Sequence, residues 1–317
     1  FVGSPSADQW AVWKAAHGRS YANEREESFR LATFLANMRD AAAHQARERV
    51  GGARFGPNEF SDWTPGEFRD RLLGSADDQS AALQIEAQPT STVSVPAARD
   101  WTTAATTPIK NQGHCGSCWA FSATEQIESD FMLQRNATFI LAPQQLVDCS
   151  FFKIERDGCK GGSPAVAYAV IKELGGMELE ADYPYVARND KCAFNRSKAK
   201  VTLGGLKGFG VVGFRNEPSM KRYVGTTGPL SVCVNATRWQ HYQGGVMTGC
   251  DDRKTDHCVQ LVGYGADEQT GREYWKVRNS WGAKWGEAGF IRLEMGKDSC
   301  DISSFPTRSI VGEIRHA

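Results

Sequence analysis

Cys118 follows the turn Gln112-Gly113-His114-Cys115-Gly116-Ser117 and opens an apolar run at Ala120, Ala123, Ile127 and Phe131. That spacing is helical, so Cys118 falls at a helix N-terminus. Unpaired backbone N–H groups and the positive end of the helix dipole favour thiolate over thiol there. The chemistry to expect is nucleophilic attack by sulfur. It needs a base within hydrogen-bond reach and a third group that orients the base. Of the six histidines, His17 and His44 lie in the N-terminal quarter and His316 is next to the last residue. His114 is in the turn, and His241 sits among aromatics in Trp239-Gln240-His241-Tyr242. His257 starts the strand-like run His257-Cys258-Val259-Gln260-Leu261-Val262. An imidazole at a strand end facing a cleft is the candidate base. Asn279, in Asn279-Ser280-Trp281-Gly282, is the candidate orienting amide, with Trp281 to cover the bond from water. The same tetrapeptide also suits a plain strand-end turn. The side-chain amide of Gln112 and the backbone N–H of Cys118 form a candidate pair of donors to one oxyanion.

Positioning these residues takes several elements. Residues 8–49 read as helical, with Trp10, Trp13 and His17, then Phe29, Thr33, Phe34 and Met38 in register, and Gly51-Gly52 as the stop. Residues 54–62 read as a short strand with a turn. Thr64 and Glu67 form a capping box that starts another helix. Residues 74–94 are small, polar and aperiodic, an exposed linker open to proteolysis. Residues 1 to about 75 are therefore a small separable unit. Beyond it, residues 118–175 hold three helical patterns, from Cys118, around Pro143–Val147 and over Pro164–Ile171. After about residue 200 the chain alternates like strands, as at Leu230–Val234, Cys258–Tyr264, Glu273–Arg278 and Gly289–Leu293. A helical half followed by an antiparallel half predicts an α+β fold with a cleft between the halves.

Composition narrows the function classes. The 317 residues are 41% apolar and 23% charged, with Lys+Arg and Asp+Glu both at 37. A net charge of zero gives no reason to expect nucleic acid or an anionic membrane as partner. No apolar run reaches the ~18 residues of a membrane span, and Phe1–Pro5 shows no signal-peptide pattern. Nine cysteines suit an even set of bridges plus one free thiol. With the acceptor tripeptides at Asn136, Asn195 and Asn235 they point to the secretory pathway. Cysteine and histidine spacings match no zinc motif, so neither metal nor cofactor is expected. Two other functions compete. Cys115-Gly116-Ser117-Cys118 is a Cys-x-x-Cys, the signature of a thiol–disulfide oxidoreductase, but no apolar strand precedes it. A catalytically silent binding protein is the other, and the intact set Gln112, Cys118, His257 and Asn279 argues against it.

Three strings, Gln112 to Phe121, Asp256 to Gly265, and Asn279-Ser280-Trp281-Gly282 with Trp285-Gly286-Glu287, resemble the active-site blocks of papain-like cysteine proteases, in the family's Cys, His, Asn order. Val95-Pro96 with Asp100-Trp101 resembles a mature N-terminus. Gly56, Asn58, Phe60 and Asp62 match the short propeptide motif of the family. Glu26, Arg30, Phe34, Asn37, Ala41 and Gln45 match the long helical one, with Ala41 and Gln45 similar to the cathepsin F variant of a cathepsin L-like pattern. The resemblance implies a two-lobed α+β fold and a zymogen. Residues 1–94 would be the inhibitory propeptide, globular to about 75 with a linker over 76–94. Residues 95–317 would be the peptidase, with a helical lobe over 102–205 and a β lobe over 206–317.

The resemblance also implies a mechanism. Cys118 and His257 form a thiolate–imidazolium pair, Gln112 holds the oxyanion, an acyl-enzyme follows, and Asn279 aligns His257. It pairs Cys115 with Cys159, Cys149 with Cys192, and Cys250 with Cys300, and leaves Cys118 free. It makes Gly161, Gly162, Pro164, Cys233, Cys258, Trp281 and Phe305 substrate-contacting residues. Cys233 and Cys258 would line the S2 pocket, as small hydrophobes or as a fourth disulfide. A bulky Phe305 floor implies an apolar P2 side chain and rejection of arginine. No insertion separates Cys149 from Cys159, which implies an endopeptidase. The expected partners are protein or peptide substrates and the chain's own propeptide, in a monomer of the lysosome, vacuole or extracellular space. Acid is expected to loosen the propeptide as Glu26, Glu59, Asp62 and Glu67 protonate.

Overall fold

A computed structural model describes residues 7–74, 94–150, 158–202, 205–250 and 253–312. The linker expected over 76–94 and His316 thus fall outside the described residues, apart from Ser94. The first unit contains α1 (Ala7–Ala16), α2 (Glu24–Arg47), the two-residue strand β1 (Arg54–Phe55) and α3 (Pro65–Leu72). The helix expected over 8–49 is two helices. Gly18, at φ +58°, turns the chain after α1, and the Asn23 side chain accepts from Glu26 N–H to start α2. Three glutamates in the first turn of α2 and His44 and Arg47 in its last turn complement the dipole. Thr33, Phe34, Asn37 and Ala41 form its buried stripe, whereas Phe29 is exposed. Trp10, Trp13 and Phe34 make the core of this unit, with ring centroids 5.2–5.4 Å apart. At α3 the capping box of Thr64 and Glu67 is closed in both directions.

The helical half is built on α4 (Cys118–Arg135), α5 (Pro143–Cys149) and α6 (Pro164–Leu174). Residues 118–131 of α4 are all buried, polar ones included. One side carries Ala120, Ala123, Ile127 and Phe131 into an apolar core that Leu206, Cys233, Cys258 and Val311 also enter. The other meets the sheet, where Ser122 donates to Val259 O at 2.7 Å and Gln260 donates to Ser129 Oγ at 2.8 Å. Strands β3 (Gly176–Met177) and β4 (Val201–Thr202) close this half as a small ladder.

The remaining strands are β2 (Arg99–Asp100), β5 (Leu206–Val211), β6 (Leu230–Val234), β7 (Tyr242–Gly244), β8 (Val246–Met247), β9 (His257–Ala266), β10 (Glu273–Arg278), β11 (Phe290–Glu294) and β12 (Thr307–Val311). The main sheet runs β5-β12-β6-β9-β10-β11-β8, with β2 also on β9. Central β9 is buried from His257 to Gly265, covered on both faces, so it lacks the alternation of a one-sided strand. A helix that the strand pattern hides, α7 (Glu217–Thr226), packs on β9.

The first unit docks on this half. Strand β1 pairs antiparallel with β7, Arg54 opposite Gly244 and Phe55 opposite Tyr242. Amide side chains stitch the rest. Asn58 Nδ2 donates to Gln240 O at 2.5 Å, and Gln240 Nε2 donates to Phe60 O and Trp63 O, both at 3.0 Å. Within the unit, buried Asn37 donates to Ser61 O at 2.8 Å and Trp63 O at 2.7 Å. Asn37→Ala leaves Trp63 O with Gln240 but orphans Ser61 O. It should cost about 1–3 kcal/mol, read as a lower urea midpoint for the full chain carrying Cys118→Ala to prevent self-cleavage.

Candidate active site

The turn before α4 is held by covalent and backbone bonds. Cys115 is joined to Cys159, and Gly116 N–H donates to Cys159 O at 2.8 Å. Cys115 is therefore not a dithiol partner for Cys118, which is the free cysteine. Gln112 reaches the other half: its N–H donates to Ser280 O at 2.9 Å, and Ser280 Oγ–H donates to Gln112 Oε1 at 2.7 Å. With its oxygen committed to Ser280, the amide turns its N–H₂ inward.

His257 is the first residue of β9, and its Nε2 lies 2.7 Å from Asn279 Oδ1. The same oxygen accepts from Ser280 N–H at 2.8 Å, which fixes it as oxygen and not nitrogen. Nε2 must then carry the proton, and Nδ1 keeps a lone pair. Nδ1 has no hydrogen-bond partner among the described residues, as a base awaiting a proton requires. Trp281 stacks on the imidazole at 4.8 Å, and Trp239 meets it edge-on at 5.9 Å. The indoles keep water from the His257–Asn279 bond.

This site is covered. Phe68 and Phe60 of the first unit abut Trp281 edge-on at 5.2 and 5.9 Å. The chain leaving α3 enters the cleft. Gln112 Nε2 donates to Leu72 O at 2.9 Å, as it does to Cys115 O. Gly74 N–H donates to Asp256 O and Gly162 N–H donates to Gly74 O, both at 2.8 Å. A Cβ on Gly74 would lie 2.3 Å from Gly116 O, so only glycine passes there.

Enclosure decides the charge state. Burial pushes the Cys118 thiol up to about 12, although backbone N–H groups of Cys258, Gly74 and Trp119 oppose it. Burial likewise holds His257 down to about 4 against the bond it donates to Asn279. At neutral pH the covered pair is thiol and neutral imidazole.

The other expected residues fall as follows. Cys149 is joined to Cys192, and Cys250 to Cys300. Cys233 and Cys258, left open as hydrophobes or a bridge, form a disulfide across β6 and β9. Pro164 starts α6, and Phe305 packs with Ala165 and Val211. Ser304 Oγ–H donates to Cys233 O at 3.4 Å, which ties the Phe305 segment to the disulfide. Gly161 takes φ +107° beside Gly74 O. Asn136 and Asn195 are exposed, whereas Asn235 is 6% exposed and donates to Lys254 O at 2.6 Å. His114 meets the Trp63 ring at 4.8 Å, and His241 is buried at the docking surface. The roles of Ser280, Leu72 and Gly74 were not anticipated. Ser280 stands in the Asn279-Ser280-Trp281-Gly282 string, but its partner Gln112 is 168 residues away in sequence.

Residues 95–310 match the papain family cysteine protease model, and residues 10–68 match the cathepsin propeptide inhibitor domain. The chain is 37% identical over 319 residues to cathepsin L of Sarcophaga peregrina, covering 95% of this chain and 92% of that protein. It is 35% identical to cathepsin F of Drosophila melanogaster, covering 93% of this chain and 48% of that one. The structure of digestive procathepsin L 3 from Tenebrio molitor larval midgut superposes with a TM-score of 0.83 at 32% identity, over 96% of this chain and 99% of the other. The chain belongs to the papain family of cysteine proteases, and is the zymogen of a cysteine endopeptidase with its propeptide inhibitor domain in the same polypeptide.

Proposed function

We propose that Cys118 is the nucleophile, His257 the base, Asn279 its orienting group and Gln112 an oxyanion donor. The observation that carries this reading is the free Nδ1 of His257, opposite the 2.7 Å bond to Asn279. Once water enters the cleft, the desolvation that keeps both groups neutral is relieved, and the helix N-terminus favours thiolate. Sulfur attacks the peptide carbonyl, and the new oxyanion takes the place now held by Leu72 O at Gln112 Nε2. His257 protonates the leaving amine, and water then hydrolyses the acyl-enzyme.

The mature peptidase is read as 95–317 and the propeptide as 1–94. The propeptide passes Gln112 at Leu72 and reaches Gly162 at Gly74. A substrate resting its acyl side on Gly161–Gly162 runs the other way, so the propeptide is a poor substrate for its own site. Phe305, beside Ala165, and the Cys233–Cys258 bridge give S2 an apolar wall and an apolar P2 preference. Four disulfides support a secretory-pathway location, and among the described residues no helix is long and apolar enough to cross a membrane. Glycan attachment is assigned to Asn136 and Asn195, since the Asn235 amide is committed to Lys254 O. A monomer suffices for all of this.

Acid release is assigned first to histidines at the docking surface. His44 of α2 accepts from Arg238 Nε at 3.1 Å and must be neutral to do so. Burial, then Arg238 and Arg47, hold its pKa below 6.5 against Asp40 and Glu48. Beside it His241 is held down to about 3 by burial and by His44. Glu67, by contrast, is pushed up by burial but brought lower overall by Arg30 and the Thr64 N–H, within the propeptide itself.

Four outcomes follow from these roles. In activated enzyme an epoxysuccinyl thiol reagent should label Cys118 to one equivalent, and label the zymogen far more slowly. Gly74→Ala should close that gap by pushing the chain off Gly116, and equal slow labelling would count against the blocking role. Gln112→Ala should lower kcat by roughly 10²–10³ with KM little changed. For pH the sign is fixed. Depressed histidine pKa values give docking stability that is full above about 6.5 and lost as pH falls. His44→Gln should therefore move the midpoint of acid release, followed by gel sizing of the Cys118→Ala chain at graded pH, to lower pH. An unmoved midpoint would shift the trigger elsewhere.

A further inference from the structure

From the connection between β3 and β4, which also carries a 3-10 turn at Arg196–Lys198, Tyr185 reaches back to the turn before Cys118. Its hydroxyl lies 2.7 Å from Gln112 O and 2.6 Å from Ser117 Oγ. A carbonyl has no proton to give, so the phenol proton goes to Gln112 O. The second bond must then take its proton from Ser117, and the phenol oxygen accepts it. Burial pushes the phenol pKa up, which keeps that proton in place at any working pH. The ring stands edge-on to Phe121 at 4.8 Å, three residues into α4 from Cys118. One side chain thus ties the residue with the oxyanion amide, the residue before the nucleophile and the first turn of the nucleophile's helix.

The bond to Ser117 has a second consequence. Ser117 is the N-cap of α4, yet its side chain makes no capping bond. A serine at this position ordinarily accepts from the second or third N–H of the helix. Here the second is that of Trp119, which is turned to the Cys118 sulfur and lowers its pKa. The Ser117 backbone, at φ −97° and ψ 13°, is not the extended one that capping uses, and with its hydroxyl bonded to Tyr185 the helix N–H stays available to sulfur.

We infer that Tyr185 is a positioning residue: its hydroxyl fixes the Gln112–Cys118 turn so that the Gln112 amide and the first N–H groups of α4 converge on the reacting atoms. The inference rests on the reading of Gln112 as an oxyanion donor. Ser280 holds Gln112 from the β half and Tyr185 holds it from the helical half. Without the phenol, the Gln112 carbonyl is free to rotate and Ser117 to cap its own helix.

Tyr185→Phe keeps the ring on Phe121 and removes one oxygen. It is to be made in the full chain, alone and with Gln112→Ala, then activated by acid, with active enzyme counted by thiol titration. Alone it should lower kcat about tenfold, part of the effect of losing one oxyanion donor outright, with KM within twofold. The acid limb of the kcat/KM profile should move to higher pH, since the thiolate loses N–H support, and Ser117→Ala added to Tyr185→Phe should move it back. In the Gln112→Ala background the kcat loss from Tyr185→Phe should shrink below twofold. A purely structural role would lower the thermal midpoint or the titratable fraction and leave kcat per titrated site and the pH limb unchanged; that overturns the inference. Equal kcat losses in both backgrounds overturn it as well. If Gln112→Ala alone costs less than twofold, the oxyanion reading fails first, and the difference shows directly in that single variant.

Discussion

A thiolate beside an imidazolium exists only where water or fixed N–H donors solvate it, and the zymogen is built on withholding that solvation. Covered by the propeptide, Cys118 and His257 are held as thiol and neutral imidazole. The cover and the catalytic machinery share one anvil. Trp281 shields the His257–Asn279 bond on one side and receives Phe60 and Phe68 on the other. Each buried phenylalanine side chain contributes roughly 1.5–3 kcal/mol, which Phe60 and Phe68 divide between packing in their own unit and docking on this indole.

Beneath the pair, the two halves are joined by charge as well as by apolar packing, in which Cys233, Cys258 and Val311 meet the core under α4 and Phe305 meets Ala165. Arg278 is fully buried, 3.4 Å from Glu125, and donates to Pro108 O at 2.6 Å and Gln260 Oε1 at 3.3 Å. Glu128 accepts from Thr107 at 2.6 Å and Lys110 at 2.5 Å. Each element that carries a site residue sends a member into this network. Residues 107–110 precede Gln112, α4 carries Cys118, β9 carries His257, and Arg278 precedes Asn279. Burial raises the Glu125 carboxyl to about 7 against Arg278 and Lys110, so the network holds itself at a cost in solvation. Apolar packing alone would tolerate sliding of one half over the other, whereas a directional network fixes the register of Cys118 against His257.

Much of this was legible in the residues. The Cys118 turn, the His257 strand end and the Asn279 turn each announce themselves by local pattern, because a nucleophile, a base and an orienting amide need particular local backbones. The capping box at Thr64 was readable for the same reason. The break at Gly18 was not, since both flanking helices keep the same apolar spacing and the turn depends on one glycine and the Asn23 cap. The helix over 217–226 was hidden among strand-like runs. Ser280, Leu72, Gly74 and Tyr185 were invisible in their site roles because each acts on a partner 40 to 168 residues away, or through its backbone. The burial of the polar residues inside α4 shows only once the sheet is packed against them, as where Ser122 and Ser129 bond to β9.

The disulfide between Cys233 and Cys258 links the two themes of register and solvation. His257 is the first residue of its strand, and strand ends fray. One residue further in, Cys258 is bonded to its cross-strand neighbour Cys233, while His257 itself pairs with Val234 and Asp256 N–H donates to Val234 O at 2.9 Å. Closing the 25-residue loop between these cysteines restricts the unfolded chain by about 3–4 kcal/mol in the loop-entropy account. Locally it does more, because fraying at His257 would have to move a covalently tied neighbour. The backbone N–H of Cys258 is also one of the donors that oppose the desolvation of Cys118. The bridge therefore holds His257 at the strand end and, through the same residue, an N–H donor to the Cys118 sulfur.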